Sequence, residues 1–362
     1  MTQVQTAEPI RYSPALEHPE AEEAKSAATL RDTLHSIMET TSKDYAHAVR
    51  AVHAKSHGLV HGTLDIPADL PPLLAQGLFA VPGQYKATLR FSTSPGDILE
   101  DGVSSPRGVG IKIVGVQGDR LAGSEGDATQ DFIMVNGPTF NAPSVKKFAG
   151  SLKLLASTTD KAEGLKQVLS TVLQAAEGAL EAVGGKSGLL TALGGAPNTH
   201  PLGDTYFSQT PFRYGDNIAK FSLLPLTTNL TEVKDAKIVT IDRPDALREN
   251  IGEVFIEGDS QWALRVQFCT DADKMPIEDS TVEWSEKDSP WHTVATLTVP
   301  RQASWSGADT IAEEDRLAFS VWHGLEAHRP LGSINRARQA AYDMSAEFRG
   351  KFNGCPITEP TD

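Results

Sequence analysis

The chain has 362 residues, 40% of them hydrophobic and 22% charged, with a formal charge of −14. That length can bury a large core as one large domain or two ordinary ones, and the composition is that of a globular protein. The acidic balance argues against general nucleic-acid or anionic-membrane binding, since either needs a basic face. Cys269 and Cys355 show no metal-like spacing and fit a reducing compartment. The polar stretch Met1–Lys25 has no apolar signal core, and no run of about 18 apolar residues occurs, so the expected location is the cytoplasm with no membrane span.

Residues 1–19, with Pro9, Pro14 and Pro19, read as an extended arm. Glu20 to about Val49 predicts a helix, with Ala24, Ala27, Leu30, Leu34 and Met38 at three- and four-residue steps. From Val52 to Val116 the pattern changes to strands, in GLVHGTLDI, YKATLRFST and RGVGIKIVGV, and Asp131–Asn136 predicts a buried strand before Gly137-Pro138. Residues 143–193 read as helical with a break at Gly184-Gly185. Strands are expected at about 206–228, 237–242, 260–270 and 292–299, then helices around Trp322 and Tyr342. Strands grouped between helices predict an α+β fold, an antiparallel sheet or barrel with helices at its sides. No P-loop, dinucleotide fingerprint or H-E-x-x-H occurs.

Four segments hold residues suited to chemistry. His53, at the entry of a strand, has the residue type for a general base, and equally for a structural turn histidine. Alternation on the Arg90-Phe-Ser92 strand puts Arg90 and Ser92 on one face; on the inner face of a sheet they would need partners, and otherwise they would be an ordinary solvent-facing pair. Asn136 ends an apolar run, either capping a turn or projecting into a pocket. Arg338, Tyr342 and Arg349 fall on one helical stripe, which fits a metal-ligating tyrosinate between cations or an ordinary amphipathic surface. His53, His57 and His61 are four apart, but the segment reads as strand, so no histidine metal pair is expected.

In order and spacing these segments resemble the haem-dependent catalase family. The distal R-x-V-H-A-K-x-x-G appears as Arg50-Ala-Val52-His53-Ala-Lys-Ser-His-Gly58, R-F-S-T as Arg90–Thr93, P-R-G as Pro106–Gly108, D-x-x-x-N-N-x-P as Asp131-Phe-Ile-Met-Val135-Asn136-Gly-Pro138, and the proximal R-x-x-x-Y as Arg338 and Tyr342. Two departures stand out: Val135 takes the first position of the asparagine pair, and Ser345 replaces a threonine after the tyrosine. With thirteen residues after Arg349, the chain looks like the short, barrel-only branch of catalase-related peroxidases.

The resemblance implies a catalase-like antiparallel β-barrel with flanking helices, lacking the C-terminal helical domain, as a single haem-binding domain over residues 20–362. It implies haem b with Tyr342 as the iron ligand, Arg338 against its phenolate, and Arg50, Arg90 and Arg349 on the propionates. Val52 and Phe148 would border the haem. His53, Asn136 and Ser92 would be the catalytic set, with His53 moving a proton, Asn136 orienting the peroxide and Ser92 fixing the imidazole. The implied activity reduces hydrogen peroxide or organic peroxides through a ferryl intermediate, with a small organic electron donor. A lipid-hydroperoxide isomerase or lyase and a non-catalytic haem-binding protein stay open, as do the oligomeric state, a homo-oligomer included, and the register of Asn136.

Overall fold

The computed structural model describes residues 8–156 and 198–361. In chain order it contains α1 (Glu23–Tyr45), β1 (Ser56–Ile66), β2 (Gly83–Thr93), β3 (Arg107–Val114), β4 (Thr129–Val135), α2 (Val145–Ala156), β5 (Tyr206–Phe207), β6 (Phe212–Tyr214), β7 (Asn217–Pro225), α3 (Ala246–Glu257), β8 (Ser260–Phe268), β9 (His292–Val299), α4 (Ala308–Arg316) and α5 (Gly332–Phe352). The strands form one antiparallel sheet in the order β5-β4-β3-β2-β1-β9-β8-β7-β6. The short β5 pairs with β4 on one side and β7 on the other, which closes eight strands into a barrel. Closure removes the unpaired edges that an open sheet would expose.

Strand alternation sorts the side chains. Leu89, Phe91, Ile111, Phe132, Phe221, Trp262 and Leu264 point inward and build the barrel core. Their sequence neighbours Arg90, Ser92, Lys112 and Asp131 point outward, yet are buried under the His53 loop, α4 and the segments around Phe319, His323 and Glu359. The polar side of β2 is therefore the outer face, but not a solvent-facing one. In α1, Leu30, Leu34, Ile37 and Met38 recur at helical spacing and pack with Val145, Ala149, Ile334 and Ala337 of α2 and α5.

The helix expected at Glu20–Val49 and the four main strands lie where the pattern placed them. Among the described residues the segment expected as a strand at 237–242 makes one isolated bridge, Lys237 to Thr199, and leaves Val239 and Ile241 exposed. Trp322 lies in a turn between α4 and α5, its indole N–H donating to Asn335 O at 2.8 Å. Helix α3 was not anticipated, although Leu247, Ile251 and Phe255 carry the four-residue step that buries it. Of the arm, the described part is tied down by Ile10 N–Cys269 O and Tyr12 N–Asp216 O, at 2.8 and 2.7 Å. The Gly184-Gly185 break and the rest of 157–197 lie outside the described residues. Among the described residues no helix is long and apolar enough to cross a membrane.

The β1–β9 seam has one tight approach. A Cβ on Gly62 would stand 2.1 Å from the backbone oxygen of Thr298. Gly62→Ala should therefore force the strands apart and destabilise the fold by about 1–3 kcal/mol, read as a lower midpoint in denaturant unfolding. An unchanged midpoint would contradict this packing.

Candidate functional site

His53 sits in the loop between α1 and β1 with a positive φ of 54°, a conformation that costs a non-glycine residue of order 1 kcal/mol. Neighbouring backbone holds it there. His53 N donates to Ser94 O at 3.0 Å, while Arg90 donates to the oxygens of His53 and Ala54 at 2.8 and 3.1 Å. The imidazole lies against the outer face of β3, where a Cβ on Gly108 would come within 2.4 Å of its Cε1. Ser92 Oγ is 3.1 Å from Nδ1 and donates on to Gly108 O at 3.5 Å. This direction of donation makes Nδ1 the protonated nitrogen and leaves the Nε2 lone pair free. Desolvation, then the Arg90 and Arg338 charges, push the imidazole pKa down to about 3. His53 is a neutral base throughout the ordinary pH range.

Sheet register defines what surrounds it. Ser56, Ser92, Gly108, Val135 and Phe207 are consecutive cross-strand partners on β1 to β5 and share the outer face. Val135 is thus the β4 side chain beside the His53 seat. Asn136, expected to join His53, lies one residue further and off that row. Its Oδ1 accepts from Arg107 N at 2.9 Å and its Nδ2 donates to Asp204 at 2.9 Å, so its amide holds the turn after β4. Asn136 lies just past the end of β4, and these two bonds hold its amide in the turn and not on the row.

Arg50, Arg90 and Arg349, far apart in sequence, converge. Glu314 on α4 accepts from Arg50 at 3.2 Å and from Arg90 at 3.0 Å, and also from Ser56. Arg50 and Arg349 both donate to Leu317 O, at 3.0 and 2.9 Å. Burial and mutual repulsion lower the Arg50 pKa well below its ordinary value and that of Arg349 to about 10. Glu314 stays below the usual carboxylate range, because Arg90 and Arg50 outweigh its burial. Three guanidiniums around one direct carboxylate leave a buried cationic excess, and Arg349 Nε has no partner among the described residues. Such a cluster suits a further anionic ligand.

On α5, Arg338 Nε and Nη2 both donate to the Tyr342 phenol oxygen, at 3.1 and 2.6 Å. Arg338 also donates to Asn335 Oδ1 at 3.2 Å, which fixes the fork. Arg349 lies apart from this pair, so the expected stripe divides between two sites. Ser345 Oγ accepts from Ala51 N at 3.4 Å and links α5 to the loop that carries His53. Val52 and Phe148, both partly buried, share the apolar cluster between these elements, and Phe148 meets Phe140 edge-on at 4.8 Å.

Sequence reasoning missed several neighbours. Glu314 stands in an acidic run whose spacing does not single it out. Phe319 lies where a Cβ on Gly110 would meet it at 3.0 Å, and its ring faces Arg50 and Lys112 at 5.9 and 5.7 Å. Beyond it the fully buried Lys112 pairs with Asp131 at 2.8 Å and with Glu359 of the C-terminal segment. His323, 3.2 Å from Glu359, is raised to about 9 because Asp131 and Glu359 outweigh its burial. Asp131, His323 and Glu359 are close enough to hold a metal, but the Lys112 ammonium and the protonated His323 already balance the two carboxylates. His57 is buried against Thr93 at 3.1 Å and forms no pair with His61.

No protein-family model matches the sequence, and no curated protein sequence matches it. Solved structures do. A fungal catalase superposes with a TM-score of 0.61 at 19% identity, covering 86% of this chain and 61% of that one. Catalase A from Saccharomyces cerevisiae gives 0.59 at 16% identity, covering 86% and 63%. A bacterial catalase gives 0.59 at 18%, covering 90% and 63%. The chain therefore has the catalase-like barrel with flanking helices, and spans less than two thirds of the length of these structures.

The cluster around Glu314 yields a direct stability test. Glu314→Ala strips the buried guanidiniums of their carboxylate and should cost about 3–5 kcal/mol, measured by thermal or denaturant unfolding. A loss under about 1 kcal/mol, the range of an exposed ion pair, would show that the cluster is not buried as described.

Proposed function

We propose that the protein is a haem-dependent peroxidase that reduces a peroxide with electrons from a small organic donor. The observation that carries this reading is the pair of guanidinium N–H groups from Arg338 converging on the Tyr342 oxygen. That fork suits a phenolate donating to a cation such as haem iron. The glycines at 108 and 110 add support: their missing side chains keep the outer face of β3 flat against His53 and Phe319. The buried excess of positive charge at Arg50, Arg90 and Arg349 fits the two propionates of haem b. On this reading Val52 and Phe148 border the macrocycle, within one haem-binding domain over residues 20–362.

When bound, haem would supply the redox centre that transfers two electrons from donor to peroxide. The balance is ROOH + AH2 → ROH + H2O + A, with R either hydrogen or an organic group. The O–O bond breaks, and AH2 supplies both electrons and both protons. His53 Nε2 would take the peroxide proton and return it to the departing oxygen, a role its neutral state permits. Ser92 would keep Nδ1 protonated and the ring oriented. Asn136 has no part in this account beyond holding the turn after β4. Arg90 would serve two ends, gripping the His53 backbone and one propionate.

Peroxidase turnover of the haem-loaded chain tests the reading. His53→Ala should lower kcat/KM for peroxide by about 100- to 10,000-fold while the Soret band persists. Because His53 stays neutral down to about 3, the wild-type rate should show no histidine titration near its ordinary pKa of about 6.5. Wild-type turnover in the variant would remove His53 from the mechanism.

A further inference from the structure

We propose that the electron donor is a neutral phenol and that it binds in a cavity between α5 and the C-terminal segment, beside the arginine cluster; the inference rests on the peroxidase reading above. The cavity holds about 440 Å3, within the range of sites for small organic molecules. Ala346 and Gly350 stand one turn apart on α5 and present little or no side chain, while Pro356 and Ile357 of the C-terminal segment and Ala318 complete an apolar lining. A Cβ on Gly350 would meet Cys355 O only at 3.5 Å and Ile357 N at 3.9 Å. The wall formed by the C-terminal segment is pinned. Cys355 N donates to Gly350 O at 3.1 Å, and Glu359 accepts from Thr129 Oγ1 at 2.9 Å and from the fully buried Lys112. The opening therefore exists before a ligand enters, which lowers the ordering cost of binding.

Position gives the cavity its role. Ala318 lies between Leu317, whose oxygen accepts from Arg50 and Arg349, and Phe319, whose ring faces Arg50 at 5.9 Å. Gly350 directly follows Arg349. The cavity thus adjoins the guanidiniums that hold haem on that reading, and it shares no residue with the row beneath His53. Charge selects the ligand. Protonated His323 and Lys351 offset Glu347 and Glu359 around the lining, so neither an anion nor a cation gains a net partner. A neutral ring covers the apolar lining and keeps its hydroxyl for these polar groups or for water. In each oxidation the phenolic O–H bond breaks, one electron passes to the redox centre, and the proton leaves past the exposed Glu347 and Lys351. Two phenols then take the place of AH2, and the balance is ROOH + 2 ArOH → ROH + H2O + 2 ArO•.

The test uses the full-length chain and 2-methoxyphenol. Binding is read by saturation-transfer NMR with no peroxide present, and turnover is read on the haem-loaded chain. Ala346→Leu fills the cavity and should weaken binding by about tenfold or more, the loss expected when a ring is denied its apolar contact. It should lower kcat/KM for 2-methoxyphenol by a similar factor relative to kcat/KM for peroxide. Gly350→Leu, one turn on, should act alike and serves if Ala346→Leu does not fold. Ascorbate, an anion, should fail to displace the phenol, and displacement would overturn the neutral class. Absence of binding to wild type would overturn the inference, as would folded variants that bind and oxidise the phenol like wild type. Both results leave the peroxidase reading intact. A wild type that binds the phenol but shows no peroxidase turnover overturns that reading, and the donor role with it.

Discussion

The buried contact of Glu314 with Arg50 and Arg90 is the interaction on which the rest of the site depends. It joins four parts of the chain: the loop after α1, strand β2, helix α4, and through Leu317 the Arg349 end of α5. Burying three guanidiniums together is unfavourable, and the lowered pKa values of Arg50 and Arg349, caused first by desolvation and then by mutual repulsion, express that cost. Glu314 offsets part of it. What is left over is a cationic site already dehydrated and oriented, so an anion that enters meets donors that need little reorganisation. Arg90 then carries the effect to His53, since the same guanidinium clamps the left-handed backbone there. The arginine cluster and the His53 seat are mechanically one unit.

The barrel contributes register. Alternation sends the aromatic core inward and leaves an outer row in which β1 to β5 each place one residue as cross-strand partners. Serines and glycine on that row set the position and tautomer of His53. Valine and phenylalanine on the same row set the polarity of the surface beside it. The two properties are therefore separable, and substitution at 135 changes the surroundings of the base without touching its supports.

Much of this was legible in the sequence. The period-two runs fixed β1 to β4, the helical step in α1 was clear, and Arg338 and Tyr342 one turn apart predict the observed fork. The histidine–serine contact followed from two separate segments only through resemblance, because no local pattern says that residues 53 and 92 meet. Glu314 was invisible for a related reason: its partners come from three other elements, and an acidic helix end reads as solvated surface. The segment expected as a strand at 237–242 makes only an isolated bridge among the described residues, since β propensity by itself does not build a ladder. Asn136 falls one residue past the row, in the turn after β4, where Arg107 N and Asp204 hold its amide.

The most direct test of the central claim is an absorption titration of the purified chain with haemin. The account predicts a Soret band that saturates at equimolar haemin, with a ferric spectrum characteristic of tyrosine ligation that is lost in Tyr342→Phe. A titration that never saturates, or a bound spectrum indifferent to Tyr342→Phe, would contradict it.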